Sequence, residues 1–290
     1  MKSFLQFLQE KLIIVGGGKR YGQVIFLAGG SGSGKGFAVQ NFIHGQDYKV
    51  FDPDALKEPY LKWNEVTNKY PELRGRSLAN PKDTAFVHEF LRDKIGLEDK
   101  VLNRFFSSIT PANRDTLPNI IFDKTMKDNG DIKNIVPKLL KAGYKKENIH
   151  LIWVLTNYKV ALQQNLSRSR SVPVTILIAS HNGVAKNMEE MLTRSYPTDL
   201  INGEAYVVLG GRENTIFFEP DPKAAKTRKM FTGGPDLPPP QIVSEFEYIK
   251  VKESGRPVKT GAAISQTILF WIMKNAPDEE AIQKYLKSTS

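Results

Sequence analysis

The chain has 290 residues, 40% of them apolar and 25% charged, the balance of a globular protein with a substantial core. It contains no cysteine, which excludes disulfides, thiolate metal sites and cysteine nucleophiles and fits a reducing, cytoplasmic setting. A formal net charge of +10 favours polyanionic company, nucleotides or nucleic acid, unless it serves solubility alone, and no apolar run approaches the ~20 residues that cross a bilayer.

Met1 to Ile14 places Phe4, Leu5, Leu8 and Leu12 at helical spacing among polar residues, which predicts an amphipathic helix docked on the body. Gly16-Gly17-Gly18 then reads as a flexible joint. Val24 to Ala28 is a buried strand, and Gly29-Gly30-Ser31-Gly32-Ser33-Gly34-Lys35-Gly36 follows it, with a helix from Phe37 to Ile43. The spacing Gly29-x4-Gly34-Lys35 is that of a phosphate-binding loop. Glycines allow the backbone to turn several N–H groups inward onto phosphate oxygens, and the lysine supplies a mobile point charge for the β- and γ-phosphates. The residue after Lys35 is Gly36, where a Ser or Thr hydroxyl would ordinarily hold Mg²⁺, and Phe37 offers none either. The metal is therefore expected to rest on water, nucleotide and a carboxylate from elsewhere.

Tyr48 to Phe51 is a short strand running into Asp52-Pro53-Asp54, and Ala55 to Phe106 is mainly helical, interrupted at Pro71 and Pro81. Asn119 to Asp123 is a second buried strand ending in a carboxylate, followed by a helix from Ile132 to Ala142. Ile149 to Leu155 is a strand, and a helix from Tyr158 runs into Ser167-Arg168-Ser169-Arg170. Val172 to Leu192 is expected as two helical pieces. Ala205 to Leu209 and Thr215 to Phe218 are expected as strands of a hairpin around Gly210 to Asn214. The alternation predicts an α/β protein with an open, mainly parallel sheet flanked by helices, its ligands at the carboxyl ends of the strands.

Residues 221–240 break this rhythm with a basic cluster (Lys223, Lys226, Arg228, Lys229) and Pro238-Pro239-Pro240, the chemistry of a linker. Order returns with an alternating stretch from Ile242 to Val251, an apolar helix from Ala262 to Lys274 and a last helix from Pro277. The expected division is 1–18 for the N-terminal helix and joint, 19–220 for the core, 221–240 for the linker and 241–290 for a C-terminal appendage. That appendage either packs on the core or serves assembly.

Three carboxylates thus fall at strand ends beside the phosphate loop. Asp123 sits where a carboxylate binds or orients Mg²⁺, with a cap for the following segment as the lesser alternative. Asp52 and Asp54 close the second strand, where one of them can take the proton of a substrate hydroxyl, or Asp54 can cap the helix that follows. Arg168 and Arg170, at the end of a strand–helix unit, suit the stabilisation of developing phosphoryl charge.

This set resembles the zeta-toxin-like P-loop kinases, a group near the polynucleotide kinases and chloramphenicol phosphotransferase. The resemblance covers roughly residues 20–218 and rests on Gly29 to Gly36, Phe51 to Asp54, Phe122 to Lys127 and the Arg168/Arg170 segment. It implies a phosphotransferase that moves the γ-phosphoryl of ATP or GTP, with Mg²⁺, onto a hydroxyl. It implies Asp54 as the general base, Asp123 and Lys127 on the acceptor side, and Arg168 with Arg170 on the γ-phosphate. The region around Arg212 also looks like that family's closing hairpin. Three positions depart from the family pattern: Asp123 stands for Glu, Lys127 for Arg, and Gly36 for Ser or Thr. The opening residues Met1 to Lys11 resemble the starts of many tailed-phage proteins, which would place the protein in a host cytoplasm. The implied partners are a nucleoside triphosphate and an anionic hydroxyl acceptor, either a nucleotide derivative or nucleic acid, with no membrane. A different class stays open: a nucleotide-binding assembly factor whose C-terminal appendage joins copies of itself or a virion.

Overall fold

A computed structural model describes residues 13–43, 48–109, 116–166, 172–210, 215–217, 243–258, 261–280, 283, 284 and 287. In chain order the strands are β1 (Val24–Ala28), β2 (Tyr48–Phe51), β3 (Asn119–Asp123), β4 (Ile149–Thr156), β5 (Ala205–Gly210), β6 (Thr215–Phe217), β7 (Val243–Glu253) and β8 (Arg256–Pro257). The α-helices are α1 (Lys35–Asn41), α2 (Lys57–Thr67), α3 (Pro81–Glu89), α4 (Leu97–Ser107), α5 (Gly130–Ala142), α6 (Tyr158–Leu166), α7 (Val174–Thr193) and α8 (Gly261–Asn275).

The sheet order is β2-β3-β1-β4-β5-β7-β6, with β8 pairing on β7. From β2 through β5 every pairing is parallel, and β7 is antiparallel to both β5 and β6. The chain leaves β1 toward β2 and β3 on one side and later passes it to reach β4 and β5 on the other. An open sheet with that reversal has its ligand crevice at the carboxyl end of the central strand, here the start of the phosphate loop.

β1 is buried along its whole length, as an apolar run with no alternation requires in a sheet covered on both faces. Val24, Phe26 and Ala28 join the larger core with residues of α5, α7 and α8, while Ile25 and Leu27 pack with Ala38 and Phe42 of the α1 region. Phe26 stacks on Phe122 at 5.2 Å, and Phe51 meets Phe122 at 5.7 Å, so β1, β3 and β2 are locked side by side. A satellite core of Leu61, Leu73, Val87, Phe90, Leu91 and Ile95 holds the helical lobe between β2 and β3.

The structure differs from the sequence expectations in several places. Over the region from Val172 to Leu192, where two helical pieces are expected, one helix of 20 residues runs, α7 (Val174–Thr193). Gly183 does not break it: a methyl group there would meet Lys127 Cβ at 2.8 Å, so this glycine provides a close approach. β5 and β6 do not form a hairpin with each other, because β7 lies between them and pairs with both. Residues 211–214, including Arg212, lie outside the described residues.

Of the two roles expected for the tail, packing on the core is the one seen: Ile268 and Ile272 of α8 are buried in the main core. Gly16 to Gly18 form a 3-10 turn rather than a free joint, with the Gly16 N–H bonded to the Glu204 carboxylate at 3.1 Å. The expected N-terminal helix lies outside the described residues except at its end, where Ile13 bridges to Ile43. The basic cluster Lys223 to Lys229 also lies outside them.

Candidate functional site

Gly29 to Gly34 leave β1 at the carboxyl edge of the sheet and turn into α1. Gly32 and Gly34 adopt left-handed backbone angles, φ 74° and 86°, which glycine reaches without strain. Lys35 folds back over the loop. Its Nζ donates to the Gly29 carbonyl at 2.9 Å and the Gly30 carbonyl at 3.4 Å, and stands 3.5 Å from Asp123 Oδ1. Nothing lies within 4 Å of the position a Cβ would take at Gly36, so that side of the loop is open.

The loop is also gripped from outside. The Thr156 hydroxyl, at the end of β4, donates to the Ser33 carbonyl at 2.7 Å. The Gly29 N–H reaches the Thr125 carbonyl at 3.3 Å. From α7, Ser180 Oγ accepts the Ser31 N–H and the His181 ring donates from Nε2 to the Ser31 carbonyl, each at 2.9 Å. Burial pushes the His181 imidazole down to about 4, so at neutral pH it is the uncharged tautomer that makes this bond. Ser33 Oγ is buried without a hydrogen-bond partner among the described residues, a polar atom left inside the loop.

The carboxylates converge on this point because β2, β3 and β1 are neighbours in the sheet and all end here. Burial pushes the Asp123 carboxyl above the usual range; Lys35 opposes this, and the charges of Asp52 and Asp54 add to it. Asp52 and Asp54 therefore lie within electrostatic reach of Asp123. The capping role falls to Asp52, whose Oδ1 accepts the Asp54 N–H at 2.8 Å as the chain enters a 3-10 turn. Asp54 instead pairs with Lys57 Nζ at 2.6 Å. Lys57 is buried, and His88 stands close enough that the charges of both Lys57 and Asp54 act on it, although burial is the main force lowering its pKa.

Beyond Asp123, Lys124 is buried between Glu98 of α4 and Asp131 of α5. Met126 takes a left-handed φ of 54°, with its carbonyl held by Asn187 Nδ2 of α7 at 2.9 Å. Lys127 follows, its Cβ against Gly183. The structure thus brings together Gly29 to Phe37, Asp52, Asp54 and Asp123 and sets Lys127 on the adjoining turn, whereas Arg168 and Arg170 lie outside the described residues. Sequence reasoning missed Thr156, Ser180, His181, Asn187 and Lys57. The first four act across long stretches of chain that no local motif records; Lys57, three residues after Asp54, could have been found from its spacing alone.

Among the described residues no three His, Asp or Glu side chains form a cluster able to hold a metal alone. The arrangement still fits nucleotide-borne Mg²⁺, which keeps several waters and needs one or two carboxylates besides the phosphates. Asp123, beside Lys35, is the oxygen donor placed for it. No helix among the described residues is long and apolar enough to cross a membrane.

No family model matches the chain, and no curated protein matches it. Among solved structures it is similar to the AvrRxo1-ORF1:ORF2 complex with ATP, at 12% identity and a TM-score of 0.52, covering 93% of this chain and 78% of that one. The native form of that complex gives 13% identity and a TM-score of 0.46, over 91% of this chain and 76% of that one. The PezAT chromosomal toxin–antitoxin system of Streptococcus pneumoniae gives 12% identity and a TM-score of 0.40, over 66% of this chain and 68% of that one. A mostly parallel sheet in the order β2-β3-β1-β4-β5, flanked by helices and with the glycine loop following its central strand, is an open α/β fold, and it is the fold shared with the ATP-bound complex.

Proposed function

We propose that the protein is a phosphotransferase that moves the γ-phosphoryl group of ATP or GTP to a hydroxyl of an anionic acceptor. The observation that carries this reading is Lys35 standing 3.5 Å from Asp123, with Asp52 and Asp54 near enough to perturb that carboxylate. Lys35 and the loop amides hold the triphosphate, and Asp123 would hold Mg²⁺ partly through water. The metal would supply positive charge to offset that of the phosphates. The acceptor oxygen bonds to the γ-phosphorus, the bond to the bridging oxygen breaks, and the nucleoside diphosphate leaves. The hydroxyl proton passes to Asp54, which Lys57 orients. Because the transferring group is loosely bonded in the transition state, the base works more through placement than through strength. Arg168 and Arg170 are assigned to the γ-phosphate and Lys127 to the acceptor on the family resemblance.

The acceptor side is the lobe between β2 and β3. Trp63 is 42% exposed there and packs on Tyr60 at 5.2 Å. The Lys69 ammonium lies over both the Trp63 and Tyr70 rings, at 5.8 and 5.7 Å. Rings with an ammonium between them suit an acceptor that carries a base and a phosphate.

Purified protein with γ-labelled ATP, Mg²⁺ and a panel of nucleotides, nucleotide sugars and oligonucleotides tests this. Label should move to one class of acceptor, and Lys35→Ala and Asp54→Asn should each lower transfer by roughly 10²-fold or more. A steep fall of acceptor affinity with salt would mark a nucleic-acid strand, and a shallow one a small nucleotide. If ATP binds and no label moves, the assembly-factor reading takes over. Two observations favour it: Asp54 is already held by Lys57 at 2.6 Å, and Gly36 offers no hydroxyl for the metal.

A further inference from the structure

One stripe of α7 touches both loops of the candidate site. Ser180 and His181 grip Ser31 of the phosphate loop, Gly183 receives the backbone around Lys127, and Asn187 holds the Met126 carbonyl. Positions 180, 181, 183, 184 and 187 share one helix face, so a single rigid element meets both loops.

The grip on Ser31 is two-sided and directional. The Ser180 hydroxyl donates its own proton to the Leu177 carbonyl at 2.7 Å, which leaves a lone pair for the Ser31 N–H. His181 takes the carbonyl of the same residue, so both backbone groups of Ser31 are committed to α7. The His181 ring lies close against the loop: a methyl group on Gly30 would meet it at 2.4 Å. His181 and Asn187 are both buried, at 4% and 8% exposure, so neither bond has water as a ready substitute. Met126 is a non-glycine residue at a left-handed φ, a conformation that persists where the surroundings enforce it, and Asn187 is part of that enforcement.

We propose that α7 is a splint that fixes the phosphate loop and the turn after β3 in one register, with Ser180, His181 and Asn187 as positioning residues, so that nucleotide bound on the loop is felt at the turn carrying Lys127. This rests on the reading of the loop as a nucleotide site. It adds a claim that reading does not contain: the donor and acceptor sides are coupled through one helix.

The test is equilibrium ATP binding and amide hydrogen exchange on the full chain, with and without ATP and Mg²⁺. The proteins compared are wild type, His181→Leu, His181→Gln, Asn187→Leu and Lys35→Ala, each with its thermal midpoint recorded. In wild type, ATP should slow exchange at residues 30–37 and also at 124–128. His181→Leu should weaken ATP binding about tenfold, and His181→Gln, which keeps a donor, should recover most of it. Asn187→Leu should hold ATP within about threefold of wild type yet lose the ATP-dependent protection at 124–128.

If His181→Leu binds ATP as wild type does, or if 124–128 stays protected in both Leu variants, α7 is packing alone and the splint is overturned. Failure of the underlying reading looks different: wild type does not bind ATP, or Lys35→Ala binds it equally well. The nucleotide-free exchange then decides. The splint stands if Asn187→Leu speeds exchange at 30–34 as well as at 124–128, and falls if the effect stays at 124–128.

Discussion

The two ends of the same sheet are built from similar polar residues to opposite effect. At the amino end, Gln23, Asn119, His150, Glu204 and Lys250 bond to one another. The Gln23 N–H meets Asn119 Oδ1 at 2.8 Å, and the His150 ring bridges Gln23 Oε1 and the Glu204 N–H at 3.0 and 2.9 Å. The Glu204 carboxylate takes Lys250 at 2.8 Å and the Gly16 N–H at 3.1 Å. At the carboxyl end, the charges of Asp52 and Asp54 act on Asp123, Lys35 stands beside Asp123 and Lys57 beside Asp54, and Ser33 Oγ is buried without a partner among the described residues. A closed network fixes the strands; an open, like-charged set is what a charged ligand completes.

If that contrast holds, the largest stability loss from a single change in either set belongs to the amino end. His150→Leu leaves the Gln23 amide oxygen and the Glu204 N–H buried and unpaired, which costs about 3 kcal/mol in all. The thermal midpoint should fall by roughly 5–10 °C. ATP binding of the folded protein, at the other end of the strands, should be unchanged. A midpoint within a degree of wild type would mean that the network is incidental.

The next effect in size is on acid stability. Burial holds His150 at about 3 and His181 at about 4, against an ordinary value of 6.5. Both are neutral in the fold and take up a proton on unfolding below about pH 6.5. The unfolded chain therefore binds more protons between pH 6.5 and about 4, and stability falls as pH drops through that window. Each histidine contributes a slope of about 1.4 kcal/mol per pH unit at most, readable from urea midpoints at several pH values. His150→Leu should remove its own contribution and leave those of His181 and His88, and an unchanged slope would show that carboxylates govern the acid limit.

Much of the carboxyl end was legible in the sequence because its information is local. The phosphate loop is a contiguous motif, Asp52 and Asp54 come one and three residues after a short strand, and Asp123 closes an apolar one. The alternation of strands with helices made the parallel sense of the sheet legible, but not the order of its strands. The grip of α7 was not legible: Ser180 and His181 lie 149 and 150 residues from Ser31, and nothing in their neighbourhood marks them as loop contacts. The place of β7 was hidden for a related reason. An alternating strand pairs with whichever edge its register and the loops allow, and that is decided by the three-dimensional sheet. His150 reads as one polar residue in an apolar run; its meaning depends on Gln23, 127 residues away.

The smallest effect is the sharpest test of the contrast, because it predicts a gain. Burial and the neighbouring carboxylates raise the Asp123 pKa in the fold, with Lys35 only partly offsetting them. A carboxyl whose folded pKa lies above its unfolded value loses stability as pH rises through the interval between the two. Above that interval the Asp123 carboxylate is therefore at a net disadvantage in the fold. Asp123→Asn keeps the shape and removes the charge, so the ligand-free protein should melt slightly higher at pH 7, by about 1–2 °C. At a pH below both values the two proteins should melt together. On the proposed function, phosphoryl transfer should be lost at the same time, since a neutral amide would replace the carboxylate proposed for Mg²⁺. A group that weakens the empty fold while the reaction requires it belongs to function. If Asp123→Asn instead melts lower, its contact with Lys35 outweighs the burial, Asp123 is a structural residue like those at the amino end, and the two ends are alike.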